Sequence, residues 1–171
     1  MTKPDIEDRD VFVALRNFLI GLFPDIAVIQ AQQNRAPPPM DDFIVMSKIG
    51  KRRLATNLRT YTNTDEQKTQ NNVMPTEYTV QVDFYGEGSG DRVQTFCTLF
   101  FDYYACDSFP DNVRPLYVTD PQQIPLISGE KQFLERWKTE AKIQINPVVS
   151  VPMDFMEVPS ITPMPISTNK E

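Results

Sequence analysis

A glycine-rich turn is the part of the sequence whose residue types and spacing come nearest to a ligand-binding motif. Gly86, Gly88 and Gly90 follow a strand-like segment and precede an apolar helical segment, which is the position of a phosphate-binding loop. The third-glycine spacing of the dinucleotide fingerprint is absent, and no Lys-Ser or Lys-Thr pair follows. Glu87 and Asp91 would repel a phosphate. We therefore predict a flexible tight turn, with nucleotide binding as the alternative.

Other groups suited to catalysis or metal binding are few. The chain contains no histidine, which excludes the usual serine or cysteine triads and imidazole metal ligands. Its two cysteines, Cys97 and Cys106, are predicted to point in opposite directions on one helix, so they neither pair nor share a metal. The acidic runs at 5–8 and 41–42 are interpreted as a helix start and a loop. We therefore predict no enzyme activity, no cofactor and no metal site.

The sequence has one basic cluster, which consists of Lys48, Lys51, Arg52, Arg53 and Arg59. Three interpretations stay open: a solvated face of a hairpin, a contact with an acidic patch on an adjacent copy, and a contact with DNA. The net charge of −6 argues against general binding to nucleic acid or to an anionic membrane. No run of about 18 apolar residues is present, so no transmembrane span is predicted.

Hydrophobic periodicity predicts a strand, a turn and a helix around the glycines. Residues from Tyr78 to Phe84 alternate between apolar and polar types, as in a half-buried strand. Ser89 or Asp91 is predicted to cap the helix that follows. In that helix, over residues 92–106, apolar side chains cover an arc of about 200°, whereas one buried stripe needs only about 100°. We expect this helix to serve both the core and an interface, with a hydrophobic ligand pocket as the alternative.

The remaining elements predict an α+β fold, with an antiparallel sheet and two helices packed on one face. Residues 51–61 and 77–85 are predicted to form a long projecting β-hairpin, with residues 62–75 as its mobile tip. We predict one domain, 1–158, and a proline-rich C-terminal tail, 159–171, that is an extended arm or disordered. The other predicted segments are a helix at 5–22 and strands at 26–30, 43–49, 116–118, 137–145 and 148–158.

Several segments of the sequence form an ordered set of structural motifs. The motifs are Asp42-Phe43-Ile44-Val45-Met46, Arg53-Leu54-x-Thr56-Asn57, Tyr78-x-Val80-Gln81-Val82-Asp83-x-Tyr85-Gly86, Leu116-Tyr117-x-x-Asp120-Pro121-x-Gln123-x-Pro125-Leu126, Arg136-Trp137 and Gln144-x-Asn146-Pro147-Val148-Val149. In their order and spacing, these motifs resemble the bacteriophage neck/tail terminator protein family. The resemblance covers roughly residues 8–158.

The resemblance implies a structural protein of the phage virion, located in the neck or tail and made in the cytoplasm of the host bacterium. The resemblance also implies that the protein is a small α+β subunit of a ring, usually a hexamer. Such a ring caps the tail tube, stops its polymerisation and joins the tail to the head connector. The implied partners are other copies of the chain, tail-tube proteins, sheath proteins if the tail is contractile, head–tail connector proteins, and genomic DNA that passes through the lumen without sequence-specific binding.

Two other functions remain as alternatives to a ring-forming terminator. One is another head–tail connector, an adaptor or a tail-tube subunit; the other is a small-ligand-binding module. For the ring, we expect head-to-tail contacts, in which one surface meets a different surface of the next copy. The residues predicted at these subunit contacts are Arg52, Arg53, Arg59, Tyr78, Phe101 and Tyr104.

Overall fold

The computed structural model describes residues 2–31, 42–64, 68–124, 126–127 and 133–154. Its helices are Asp8–Leu22 (α1), Ser89–Phe100 (α2) and Tyr103–Ser108 (α3). Its strands are Ala27–Gln30 (β1), Phe43–Arg53 (β2), Leu58–Asn63 (β3), Lys68–Val73 (β4), Thr76–Tyr85 (β5), Val113–Val118 (β6), Gln122–Gln123 (β7), Leu126–Ile127 (β8), Phe133–Leu134 (β9), Arg136–Ile145 (β10) and Val148–Pro152 (β11). The α+β class is confirmed. The predicted tail, 159–171, lies outside the described residues, so the division of the chain at residue 158 stays a prediction.

β5 is the central strand of the main sheet, whose strand order is β1-β2-β5-β10-β6, with β7 also paired to β10. It pairs antiparallel with β2 on one side and with β10 on the other, from Thr76 to Tyr85. β1 and β2 run parallel, so the mostly antiparallel sheet contains one parallel pair that the sequence did not predict. A parallel pair cannot be joined by a tight turn, which accounts for the long connection between Gln30 and Phe43.

The alternating pattern of β5 sorts its side chains onto two faces of the sheet. Tyr78, Val80, Val82 and Phe84 are fully buried on the face covered by the helices, as the alternation predicted. β10 adds a neighbouring buried row, which consists of Thr139, Ala141, Ile143 and Ile145. These two rows form the apolar floor of the core.

Aromatic rings connect the two longer helices to each other and to this floor. The ring centroid of Phe18 in α1 lies 6.1 Å from that of Phe96 and 5.9 Å from that of Phe100, both in α2. The Phe96 ring also lies 5.7 Å from that of Phe84 in β5. The apolar residues of α2 are therefore covered on two sides, by the sheet and by α1.

The helix predicted over residues 92–106 is in fact two helices, so the described part of the chain has three helices where two were predicted. α2 ends at Phe100, and α3 begins at Tyr103. The Asp102 carboxylate accepts a hydrogen bond from the backbone N–H of Tyr104 at 3.2 Å, which caps the new helix. Tyr103 and Tyr104, which follow the break, are exposed, whereas Phe96 and Phe100 of α2 are buried.

The predicted hairpin of 51–61 with 77–85 is wrong in its pairing. β2 pairs with β5 as far as Arg53 opposite Thr76, whereas β3 pairs with β4 in a separate small sheet of order β11-β4-β3. Residues 68–73, which were predicted as part of a mobile tip, form the central strand of this small sheet. Part of the sequence predicted as one long hairpin therefore forms the small sheet beside the main sheet.

Hydrogen bonds between polar side chains explain why β4 escaped prediction. Asn71 of β4 donates to Oγ1 of Thr62 in β3 at 2.9 Å, and its Oδ1 accepts from the Ser150 hydroxyl of β11 at 2.7 Å. This ladder crosses all three strands of the small sheet. Hydrophobic periodicity does not detect a strand whose side chains bond to each other instead of packing in a core.

Replacement of Phe96 tests the aromatic packing between α1, α2 and β5. Phe96→Ala removes a fully buried ring and should lower the free energy of unfolding by about 3–5 kcal/mol, because a cavity remains between three elements. Urea unfolding followed by circular dichroism measures the change. The control is Thr98→Ala on the exposed side of α2, which should cost less than about 1 kcal/mol. Equal effects of both substitutions would contradict this description of the core.

Candidate assembly surfaces

Five of the six residues predicted at subunit contacts lie at the surface, in three places. Arg52 and Arg53 end β2, Arg59 lies on β3, and Phe101 and Tyr104 lie at the junction of α2 and α3. All five are exposed in the single chain. Phe101 and Tyr104 therefore share one helix junction, whereas Arg52 and Arg53 are consecutive residues whose side chains lie on opposite faces of β2. Arg59 lies in a different sheet. The contacts of these five residues with a neighbouring copy stay predictions.

Tyr78, the sixth predicted contact residue, is fully buried, so its side chain offers no surface to a neighbouring copy. The ammonium nitrogens of Lys48 and Lys51 lie 5.8 Å and 5.2 Å from the centroid of its ring. Both lysines also form ion pairs with Asp8 at the start of α1, at 2.6 Å for Lys51. Burial and the negative charge of Asp8 raise the pKa of Tyr78. Two members of the basic cluster thus hold α1 on the sheet.

A group of exposed aromatic residues surrounds the junction of α2 and α3. The exposed fractions of Phe101, Tyr103 and Tyr104 are 64%, 73% and 48%. Tyr104 still contacts the core, because its ring centroid lies 6.0 Å from that of Phe18. We name these three residues the aromatic corner. Tyr103 was not among the predicted contact residues. Its position next to Tyr104, in an apolar run too wide for one buried stripe, could have indicated it.

A second exposed apolar surface lies on one face of the small sheet. Strand alternation and register place Arg59 and Tyr61 of β3 on the same face as Val151 of β11, with Tyr61 and Val151 both opposite Gln70 of β4. Met153, just after β11, continues this side. Tyr61, Val151 and Met153 are 55%, 44% and 41% exposed. We name the surface formed by Arg59, Tyr61, Val151 and Met153 the Tyr61 face. The sequence reasoning singled out only Arg59 from it.

The face of the main sheet opposite the helices carries charges that are paired within the chain. Asp83 is 2% exposed and accepts hydrogen bonds from Nε and Nη2 of Arg136 at 3.1 Å and 2.8 Å. Glu77 is 4% exposed and accepts from Arg52 at 2.9 Å. Both carboxylates lie on the central strand beneath long side chains of its neighbours, where each needs a partner to offset its desolvation. Arg52 is therefore engaged within its own chain, although most of its side chain is exposed.

The glycine-rich turn is occupied by the chain's own side chains. Gly86 has φ of 99°, and a Cβ atom there would lie 1.8 Å from Oδ1 of Asp42. Asp42 pairs with Arg92 at 3.0 Å, and Arg92 also donates to the carbonyl of Tyr85 at 3.2 Å. The N-cap of α2 is Gly88, so the predicted cap by Ser89 or Asp91 is wrong. Asp42 and Arg92 therefore fill the space beside the turn, and their ion pair connects the start of β2 to α2.

The described residues contain no group of three or more His, Cys, Asp or Glu side chains arranged to hold a metal ion. Within the same residues, every helix is too short or too polar to cross a membrane. Cys97 is buried and Cys106 is exposed, and neither forms a disulfide.

Comparison with known proteins identifies one family. A family model described as a phage neck terminator protein matches residues 9–166. The match confirms the resemblance seen in the sequence, and it ends within the segment predicted as the tail. No curated protein matches the chain.

Removal of Arg136 tests whether Asp83 depends on its ion pair. Arg136→Met should lower the free energy of unfolding by about 3–5 kcal/mol, because the buried Asp83 carboxylate loses both of its hydrogen bonds from the guanidinium group. Chemical unfolding measures the loss. The matched control is Arg114→Met, which removes a pair with the fully exposed Asp111 carboxylate and should cost less than about 1 kcal/mol. A loss no larger than that of the control would show that Asp83 does not need Arg136.

The contact between Asp8 and the two lysines predicts a pH dependence. Burial raises the pKa of Asp8, but hydrogen bonds and charge from Lys48 and Lys51 outweigh it and lower the pKa below the ordinary 3.8. The stability from this contact is therefore complete above the unfolded-state pKa and is lost as the pH falls through the lower folded-state value. Asp8→Asn should destabilise by less than about 1 kcal/mol near neutral pH, because the carboxylate is more than one-third exposed.

The difference in unfolding free energy between wild type and Asp8→Asn should therefore narrow as the pH is lowered from about 6 to about 3. Lys51→Met provides the control, since in that background the substitution at Asp8 should have a smaller effect at every pH. A difference that stays constant with pH, or that grows on acidification, would contradict the assignment.

Proposed function

We propose that this chain, which belongs to the phage neck terminator family, forms a hexameric ring that caps the tail tube, stops its polymerisation and joins the tail to the head connector. The family match over residues 9–166 is the observation that carries this proposal. The exposed surfaces of the chain support it, because a ring subunit must present apolar contact surfaces that its own core does not cover.

The aromatic corner is the strongest support of that kind. Phe101 and Tyr103 expose more than half of their surface, although Phe100 before them and Phe109 after α3 are buried in the core. A chain that worked alone would expose large aromatic rings to water without compensation. Burial of such rings between subunits is the usual way in which aromatic residues contribute to interfaces.

The proposed function is structural and involves no catalysis and no cofactor. The proposed partners are neighbouring copies of the chain, tail-tube proteins, sheath proteins in a contractile tail, and head–tail connector proteins. Genomic DNA would pass through the lumen of the ring without sequence-specific contacts. The chain's net charge of −6 supports such passage, since attraction to phosphates is what makes DNA binding strong.

Deletion of the gene for this protein from the phage genome tests the proposed function in the assembled particle. A terminator controls where the tube stops, so lysates without the chain should contain tail tubes longer than those of the wild type, and these should not be joined to heads. Negative-stain electron microscopy measures tube length and attachment, and supply of the intact chain from a plasmid is the control.

The competing functions give different particles in the same experiment. Loss of a tail-tube subunit would leave no tubes, and loss of a head-side adaptor would leave tails of normal length that are not attached to heads. Either result would overturn the proposed capping of the tube.

A further inference from the structure

We propose that the Tyr61 face of one copy docks on the aromatic corner of the next copy. The proposal rests on the proposed ring and adds to it the two surfaces that meet. The Tyr61 face consists of Arg59, Tyr61, Val151 and Met153, and the aromatic corner consists of Phe101, Tyr103 and Tyr104.

Both surfaces have the composition of an interface core. Tyrosine, phenylalanine, methionine and arginine are the residue types enriched where proteins bind each other. The exposed fractions of the six large apolar side chains range from 41% for Met153 to 73% for Tyr103. Mutual burial would remove both surfaces from water in a single contact, which gives the apolar part of the driving force.

The charges beside the two surfaces are opposite. Asp102 and Asp107 flank the aromatic corner, and Asp107 lies one helical turn after Tyr103 in α3. Both are exposed, and neither forms an ion pair with another described residue. On the other surface, Arg59 alternates with Tyr61 on β3, and it likewise has no ion-pair partner among the residues that the structure describes. An arginine of one copy can therefore meet an aspartate of the next copy, which fixes the register of the contact.

The same charges disfavour a contact of either surface with its own copy. Such a contact would place arginine against arginine or aspartate against aspartate. A head-to-tail contact between two different surfaces leaves one surface unused on each of the two copies. Such a contact propagates from copy to copy, and it closes into a ring when the rotation between copies permits.

The small sheet is suited to reach a neighbouring copy. None of its three strands pairs with a strand of the main sheet, so it continues the molecule beyond the ends of β5 and β10. β4 is paired on both sides along its length, and the ladder at Asn71 ties it to β3 and β11. The Tyr61 face is therefore held by backbone and side-chain hydrogen bonds before any partner binds, which reduces the entropy lost on docking.

A charge-reversal cycle tests the pairing. Arg59→Glu and Asp107→Arg should each weaken self-association of the purified chain by about tenfold or more, because each places like charges together. The double variant Arg59→Glu/Asp107→Arg should recover to within about threefold of the wild type, because it restores opposite charges across every contact. Sedimentation analysis over a range of concentrations gives the dissociation constants, and circular dichroism checks that each variant is folded.

Matched controls use the same substitutions elsewhere on the surface. Arg9→Glu in α1 and Asp25→Arg after α1 alter exposed residues that form no ion pair with the described part of the chain, and they should leave the dissociation constant unchanged. If a reversal variant fails to fold, the neutral variants Arg59→Gln and Asp107→Asn take its place. Each should weaken self-association, and their double variant should be no weaker than either single variant, because both remove the same ion pair. Single variants that match the controls, or a double variant weaker than both singles, would overturn the pairing.

The outcomes separate this pairing from the proposed function. If the wild type forms a ring in solution and in purified particles while all variants assemble equally, the ring stands and the pairing fails. If Asp107→Arg forms normal rings but is absent from tails, the surface around the aromatic corner binds another tail protein, which also overturns the pairing. If neither the purified wild type nor the particle contains a ring of this chain, the proposed function fails.

Discussion

The double pairing of β5 is the constraint on which the rest of the structure depends. β2 and β10 hydrogen-bond to it along its whole length, so neither of its edges is free, and side chains on both of its faces are buried. On one face this creates the apolar floor beneath the helices. On the other face it buries Asp83 and Glu77, whose charges are tolerable only because Arg136 and Arg52 reach over them from the neighbouring strands.

The helical layer is fitted to this floor by a small number of aromatic rings. Phe18 lies among Phe96, Phe100 and Phe109 with ring centroids 5.4–6.1 Å apart. Phe101 directly follows the buried Phe100 at the end of α2, and Tyr103 begins α3 after the break at Asp102. Both rings stay outside the core and are exposed. The aromatic corner therefore offers the apolar surface that the proposed assembly needs.

The basic cluster shows how one pattern in the sequence divides into several physical roles. Lys48 and Lys51 form ion pairs with Asp8 and lie over the Tyr78 ring, and Arg52 forms an ion pair with Glu77. Arg53 and Arg59 form no ion pair with the described residues and are exposed. Neither a fully solvated face nor a single subunit contact describes all five residues. Only the last two carry charge that is not already matched within the described part of the chain.

The sequence by itself determined the fold class, the buried face of β5, the strand at β10 and the membership of the family, because each depends on local periodicity or on the order of motifs along the chain. Only the tertiary structure decided the small sheet, the break between α2 and α3, and which of the two roles predicted for Tyr78, buried strand residue or subunit contact, is correct. The polar strand β4 is stabilised by hydrogen bonds to β3 and to β11, the latter more than 70 residues away in sequence. Its polar side chains have no hydrophobic period, and a partner so distant in the chain cannot be identified from local sequence. Tyr78 was predicted at an interface from its place on a hairpin, whereas its exposure is set by the helix and lysines that cover it.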